Sequence, residues 1–188
     1  LAIRLVGSGA NVTLVDALIN GLGGNEFNIQ AVKEKVKVAV GDVRDKKLVA
    51  ELVKGNDVIF HLAGQVDHHR SVEHPFEDLD IRCNGTLAVL EACRKGNDHA
   101  KIIYTGTRSE YGAVKKLPAT EETPAKPLGM YAITSLAAEN MVLMYNRLYG
   151  LRSCCLRLTN TYGPRHQMKL PYGVVNWFIR RAMDGKPM

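Results

Sequence analysis

The 188-residue chain contains no apolar run approaching the roughly 20 residues that a membrane-spanning helix needs. Its first residues also lack a basic stretch leading into an apolar segment and a cleavage site, so neither a spanning helix nor a secretory leader is expected and a cytoplasmic location is. Cysteine is scarce. Cys83, Cys93, Cys154 and Cys155 form no C-x-x-C pair and sit in apolar stretches, the pattern of buried thiols and not of a disulfide framework. Clustered charge is missing too: the formal net charge of +6 is dispersed along the chain, which argues for solvated faces and against a nucleic-acid partner. His68, His69 and His74 have no carboxylate or cysteine companions at a ligand spacing, so no metal is expected. What remains is 46% hydrophobic and 23% charged, enough for one globular core.

Apolar, β-branched runs recur at residues 11–15, 36–40, 57–62, 101–105 and 152–158, and the segments between them have helical spacing. Helices are predicted at 46–54, after Asp45 as a cap, at 81–94, at 131–149 with Gly150 as a stop, and at 174–183. Alternating strands and helices imply an α/β fold with a mainly parallel, doubly wound sheet covered on both faces. Residues 1–7 read as the tail of a helix that Gly7-Ser8-Gly9 ends, and 117–128, with Pro118, Pro124 and Pro127, as a structured surface loop.

The densest chemistry lies between residues 101 and 135. Thr107 ends an apolar run, and Tyr131 opens a helical segment 24 residues later, so a hydroxyl and a phenol can meet over one substrate. With Tyr131-Ala-Ile-Thr-Ser135, the segments Phe60-His61-Leu62-Ala63-Gly64 and Leu156-Arg157-Leu158-Thr159-Asn160-Thr161-Tyr162-Gly163-Pro164-Arg165 carry a resemblance in the correct order. The chain resembles the extended short-chain dehydrogenase/reductase family, the NAD-dependent nucleotide-sugar epimerases and dehydratases, over essentially its whole length. The resemblance implies a Rossmann-like cofactor domain over 1–165 and the beginning of a substrate-binding region over 166–188. It also implies that a first strand and its glycine-rich turn are missing, that the missing strand belongs between the strands at 11–15 and 57–62, and that the chain is a fragment.

The same resemblance assigns roles. Asp16, at the end of the first strand, would accept from ribose hydroxyls and favour NAD over NADP. Asp42 would face the adenine amine with Val43 packed on the base, and Leu62, Ala63 and Gly64 would run beneath the dinucleotide. Thr107 would hold the sugar, Tyr131 would be its acid/base, and Asn160 and Arg165 would bind the nucleotide sugar, a UDP-sugar being favoured. The net positive charge is compatible with such phosphate-rich ligands. A homodimer through the helices at 81–94 and 131–149 is expected on the same ground.

Two residues depart from the family pattern. The lysine of Tyr-x-x-x-Lys is Ser135, which can hydrogen-bond but brings no charge, and the asparagine of Asn-Val-x-Gly-Thr is Arg82. Arg82 is therefore a candidate for the charge that a tyrosine needs to work near neutral pH. Dehydratases of the family carry Thr-Asp-Glu where this chain has Thr107-Arg108-Ser109, so 4-epimerisation is the expected reaction. The alternatives are a relative that binds NAD or a nucleotide sugar with impaired catalysis, and a truncated chain without activity of its own.

Overall fold

The computed structural model describes residues 1–19, 23–168 and 173–187. Among these residues five strands form where the apolar runs predict them: β1 (Val12–Asp16), β2 (Val36–Val40), β3 (Val58–His61), β4 (Lys101–Thr107) and β5 (Ser153–Leu158). Every pairing is parallel, but the strands make two sheets, β1–β2 and β3–β4–β5. The split falls between β1 and β3, the slot in which a further strand is expected. Among the described residues, one edge of β1 and one edge of β3 therefore carry no strand partner.

One face of the larger sheet carries the core. The register aligns Ile59 with Ile102 and Tyr104 with Cys155, and against this face pack α2 (Lys46–Leu52), α5 (Gly85–Gly96) and α6 (Met130–Tyr149). Sequence explains each helix. The Asp45 carboxylate accepts from the Lys47 and Leu48 amides at the start of α2. Val89, Leu90, Ala92 and Cys93 supply the buried stripe of α5, and Gly150 ends α6 in the left-handed conformation that favours glycine. Leu90, Ile102, Val142 and Leu151 are almost wholly inaccessible, each worth roughly 2 kcal/mol of apolar burial.

Val58, Leu156 and Leu158, at 42%, 42% and 41% exposure, stand on the opposite face of the larger sheet. The helix predicted at 81–94 begins as a π-helical turn, Asp80–Asn84, before α5, because α4 (Pro75–Leu79) feeds into it without a break. The segment carrying His68 and His69 forms α3 (His68–Glu73), capped by Asp67, whose carboxylate accepts from the His69 and Arg70 amides. Two 3-10 helices, Glu26–Lys35 and Arg108–Tyr111, were also not foreseen. At the chain start α1 (Ala2–Gly7) ends at Gly7 as expected, with Gly9 at φ +83°, and α7 (Val174–Met183) lies where predicted. No helix among the described residues is long and apolar enough to cross a membrane.

Candidate active site

Parallel pairing places the carboxyl ends of the strands of each sheet on one side, the position where open α/β sheets hold ligands. Asp16 ends β1, Gly41-Asp42 follows β2, Leu62–Gly64 follow β3, Thr107 ends β4 and Asn160 follows β5.

Tyr131 sits in the first turn of α6, where its amide donates to the Ser71 hydroxyl of α3 at 3.2 Å, a substitute for the cap that Gly129 cannot provide. Its ring is bracketed by two other groups. The His68 ring lies at a centroid distance of 4.2 Å with a tilt of 43°, and the Arg82 guanidinium carbon lies 4.6 Å from the Tyr131 centroid. Arg82 reaches there from the π-helical turn and is only 5% exposed. One Nη donates to the Gln65 carbonyl, the other lies against Gly64, where a Cβ would stand 3.0 Å away, and the buried Nε has no partner. Burial, and secondarily the Arg82 charge, lowers the His61 pKa to about 4, so His61 is neutral and shares a 2.8 Å hydrogen bond with the Thr86 hydroxyl.

Ser135 stands one turn after Tyr131 but does not point toward the ligand side: fully buried, its hydroxyl donates to the Tyr131 carbonyl at 2.7 Å. Thr107 is buried at the end of β4, and its hydroxyl accepts from the Ser109 amide at 3.2 Å while its own amide donates to Glu110 at 2.8 Å. The 3-10 turn after β4 is thus a capping box, and its Thr-x-x-Glu signature was readable in the sequence. Behind it, Arg157 donates twice to Glu139, at 2.9 and 2.6 Å, and stacks over Tyr111. The second Glu110 oxygen is 3.0 Å from Arg157 Nε, but that N–H is aimed at Glu139, so the contact is electrostatic only. Burial pushes Glu110 up to about 7 despite the Thr107 amide.

The expected cofactor residues are differently engaged. Asp16 is exposed and accepts from the Leu18 amide at 2.8 Å. Asp42 is clasped by Arg44, which also reaches Asp80, and the Arg44 hydrogen bonds hold the Asp42 carboxyl below its ordinary range. Val43 packs on Gly85, where a Cβ would meet it at 2.7 Å. Leu62 and Ala63 are exposed, whereas Gly64 is half-buried under Arg82. Asn160 and Arg165 lie on the exposed stretch after β5. Arg165 lines a separate cleft of about 400 Å³ with α1 and the first 3-10 helix.

All of residues 1–188 match the NAD dependent epimerase/dehydratase family. The chain belongs to this family. A UDP-glucose 4-epimerase of Mycolicibacterium smegmatis is 31% identical over 185 residues, 97% of this chain and 58% of that protein. Among solved structures, the UDP-glucose 4-epimerase of Thermotoga maritima, with UDP-glucose, superposes with a TM-score of 0.90 at 28% identity. That match covers 100% of this chain and 60% of that one. The Thermus thermophilus UDP-glucose 4-epimerase, in complex with NAD, gives 0.87 at 31% identity over 100% and 59% of the two chains. The chain therefore spans somewhat under two thirds of the length of these epimerases, and its fold is their doubly wound, Rossmann-like α/β architecture.

Within that family frame, His68 against Tyr131 and Glu110 beneath Thr107 are what motif reading missed, whereas Arg82, a candidate from the sequence, lies over the Tyr131 ring. Asp67 three residues before Arg70 and Pro75 at the first position of α4 signal the helices that carry His68 and lead into Arg82. Nothing in a linear pattern signals the π-helical turn.

Proposed function

We propose that the protein acts as an NAD-dependent nucleotide-sugar 4-epimerase on a UDP-sugar, with Tyr131 as its acid/base. The observation that carries this reading is the Tyr131 phenol, opening α6 beside the carboxyl ends of β3 and β4 with a buried guanidinium over its ring. The residues fit a dinucleotide: an exposed carboxylate ends β1, and the loop after β3 brings backbone, not side chain, against Arg82 at Gly64. Asp16 would hold the adenosine ribose. One lone pair of Asp42 stays free for the adenine amine beyond its three bonds to Arg44. Leu62, Ala63 and Gly64 would pass beneath the dinucleotide, and Val43, held by Gly85, would shape the base pocket.

NAD, when bound, supplies hydride acceptance and return at the sugar carbon. Tyr131 takes the proton from the adjacent sugar hydroxyl and later returns it to the same oxygen. Thr107 can donate its hydroxyl proton to that oxygen while it still accepts from the Ser109 amide. Asn160 and Arg165 would bind the nucleotide end. Dehydration is disfavoured because positions 108 and 109 bring no carboxylate and Glu110 is committed to the Thr107 amide and the charge of Arg157. Half-exposed Leu87 on α5 and Ile133 and Leu143 on α6 support association with a second copy through these helices.

Ser135 favours a second reading, in which the protein binds NAD or the sugar nucleotide with impaired turnover, because its hydroxyl is occupied within α6. Calorimetry with NAD and UDP-glucose on the full-length protein, followed by assay of UDP-galactose formation, separates the two. Binding with turnover that Tyr131→Phe abolishes supports the epimerase, binding of either ligand without turnover the impaired relative, and binding of neither NAD nor UDP-glucose removes both.

A further inference from the structure

We infer that Arg82 supplies Tyr131 with the positive charge that position 135 does not, acting from the opposite helix and through the phenol ring. The inference rests on Tyr131 as the acid/base of the preceding section and names the residue on which that role depends.

Three independent features converge on Arg82. Its guanidinium carbon stands 4.6 Å from the Tyr131 centroid, well within the distance at which a cation is attracted to a ring face. That attraction strengthens as negative charge develops on the phenol during proton transfer and the ring becomes electron-rich. Second, Arg82 is a buried cation whose protein partners do not satisfy it: a carbonyl takes one Nη and the Nε is orphaned. A desolvated guanidinium without a counter-anion is unstable, and the phenolate is an acidic group in direct contact with it. Third, Arg82 stands on a π-helical turn, an extra residue inserted into the helix ladder that re-aims the side chains it carries and that persists mainly where function requires it.

Position 135 makes the exchange legible. A lysine there would approach the phenol along α6 itself, one turn on. Ser135 instead turns its hydroxyl back to the Tyr131 carbonyl, and Tyr104 caps the Ser135 carbonyl at 3.1 Å. The charge has thus moved from α6 to the turn that precedes α5. Arginine suits the new position because a guanidinium is a permanent cation in proteins.

Other groups also face this pair. The His68 ring lies against Tyr131 with its pKa lowered by burial, and His61 on β3 is neutral. Tyr104 on β4 and Arg108 after it lie in the same field, as does Asp67 at the head of α3. Asp78 on α4 accepts from the Thr134 hydroxyl and the Gln65 side-chain amide. None of the others places a permanent positive charge over the Tyr131 ring.

The test uses Arg82→Gln, Arg82→Lys and Arg82→Gln with Ser135→Lys in the full-length protein, each first checked for folding by its melting temperature. Arg82→Gln is expected to lower kcat about 100-fold at neutral pH, with the deficit shrinking as pH rises, while KM for UDP-glucose stays near that of the parent. Adding Ser135→Lys should recover about tenfold or more, because it returns the charge from the other helix. Arg82→Lys should keep the parental pH profile. A readout free of cofactor is the ultraviolet difference spectrum of tyrosinate, with the Tyr131 contribution identified by subtraction of Tyr131→Phe; its transition should move to more alkaline pH in Arg82→Gln. If Arg82→Gln does not fold, the same spectrum and pH profile are read on Arg82→Lys and on the double variant, and a loss of the parental profile in both overturns the inference. So does a folded Arg82→Gln with unchanged profile and spectrum. Turnover that survives Tyr131→Phe would instead remove the acid/base reading on which the inference stands.

Discussion

His61 is the residue at which burial sets a pH dependence that can be measured. Its ordinary pKa of 6.5 falls to about 4 in the fold, chiefly because burial disfavours the imidazolium. Below pH 6.5 the unfolded chain takes up a proton that the folded protein refuses, so stability falls as pH drops toward 4 and the loss then levels off. The full loss is at most roughly 3 kcal/mol. His61→Gln can keep a hydrogen bond to Thr86 and removes the titration, so melting temperatures between about pH 4 and 7 should fall less steeply than in the parent; parallel curves would contradict this. A linear pattern does not show that His61 is held by the Thr86 hydroxyl. It could not reveal that Ser135 is turned inward, since that depends on where the Tyr131 carbonyl lies in space.

Gly112 controls an element, the loop from the 3-10 turn to α6. Its φ of +65° is strained for any other residue, and a Cβ would stand 1.9 Å from the Lys126 carbonyl oxygen, so the loop closes on itself only over a hydrogen atom. Gly112→Ala should cost about 1–3 kcal/mol in backbone strain and more from the clash, read as a lowered urea midpoint. Because this loop delivers the chain to Met130, the variant should also weaken turnover. At the other end of the core, Asp45→Ala removes the acceptor of two α2 amides and should cost about 1 kcal/mol by the same assay. Caps, strands and the long helices were legible because their signals are local. The helices α3 and α4 and the π-helical turn were not, because they are short, polar and held by tertiary partners: Ser71 meets Tyr131, and Asp78 meets Thr134.

At the scale of the whole molecule, stability is unevenly distributed. The apolar cluster draws on α2, α5, α6 and β3–β5, and no residue of β1 or β2 enters it. Hydrogen exchange on this chain should show β4 amides, paired on both sides, opening with global unfolding, and β1–β2 amides exchanging at least about tenfold faster through local opening. Equal protection would mean that the two sheets act as one unit. Residue order alone dictated the alternation of strands and helices, the parallel sense and the placement of Asp16, Thr107 and Tyr131 at strand and helix ends, because hydrophobic period and turn residues act over a few positions. Folding in three dimensions was needed to split the sheet at β1 and β3 and to set Arg82 over Tyr131. Those outcomes depend on which surfaces meet across tens of residues, where a buried cation and the phenol it touches are brought together by packing and by no spacing along the chain.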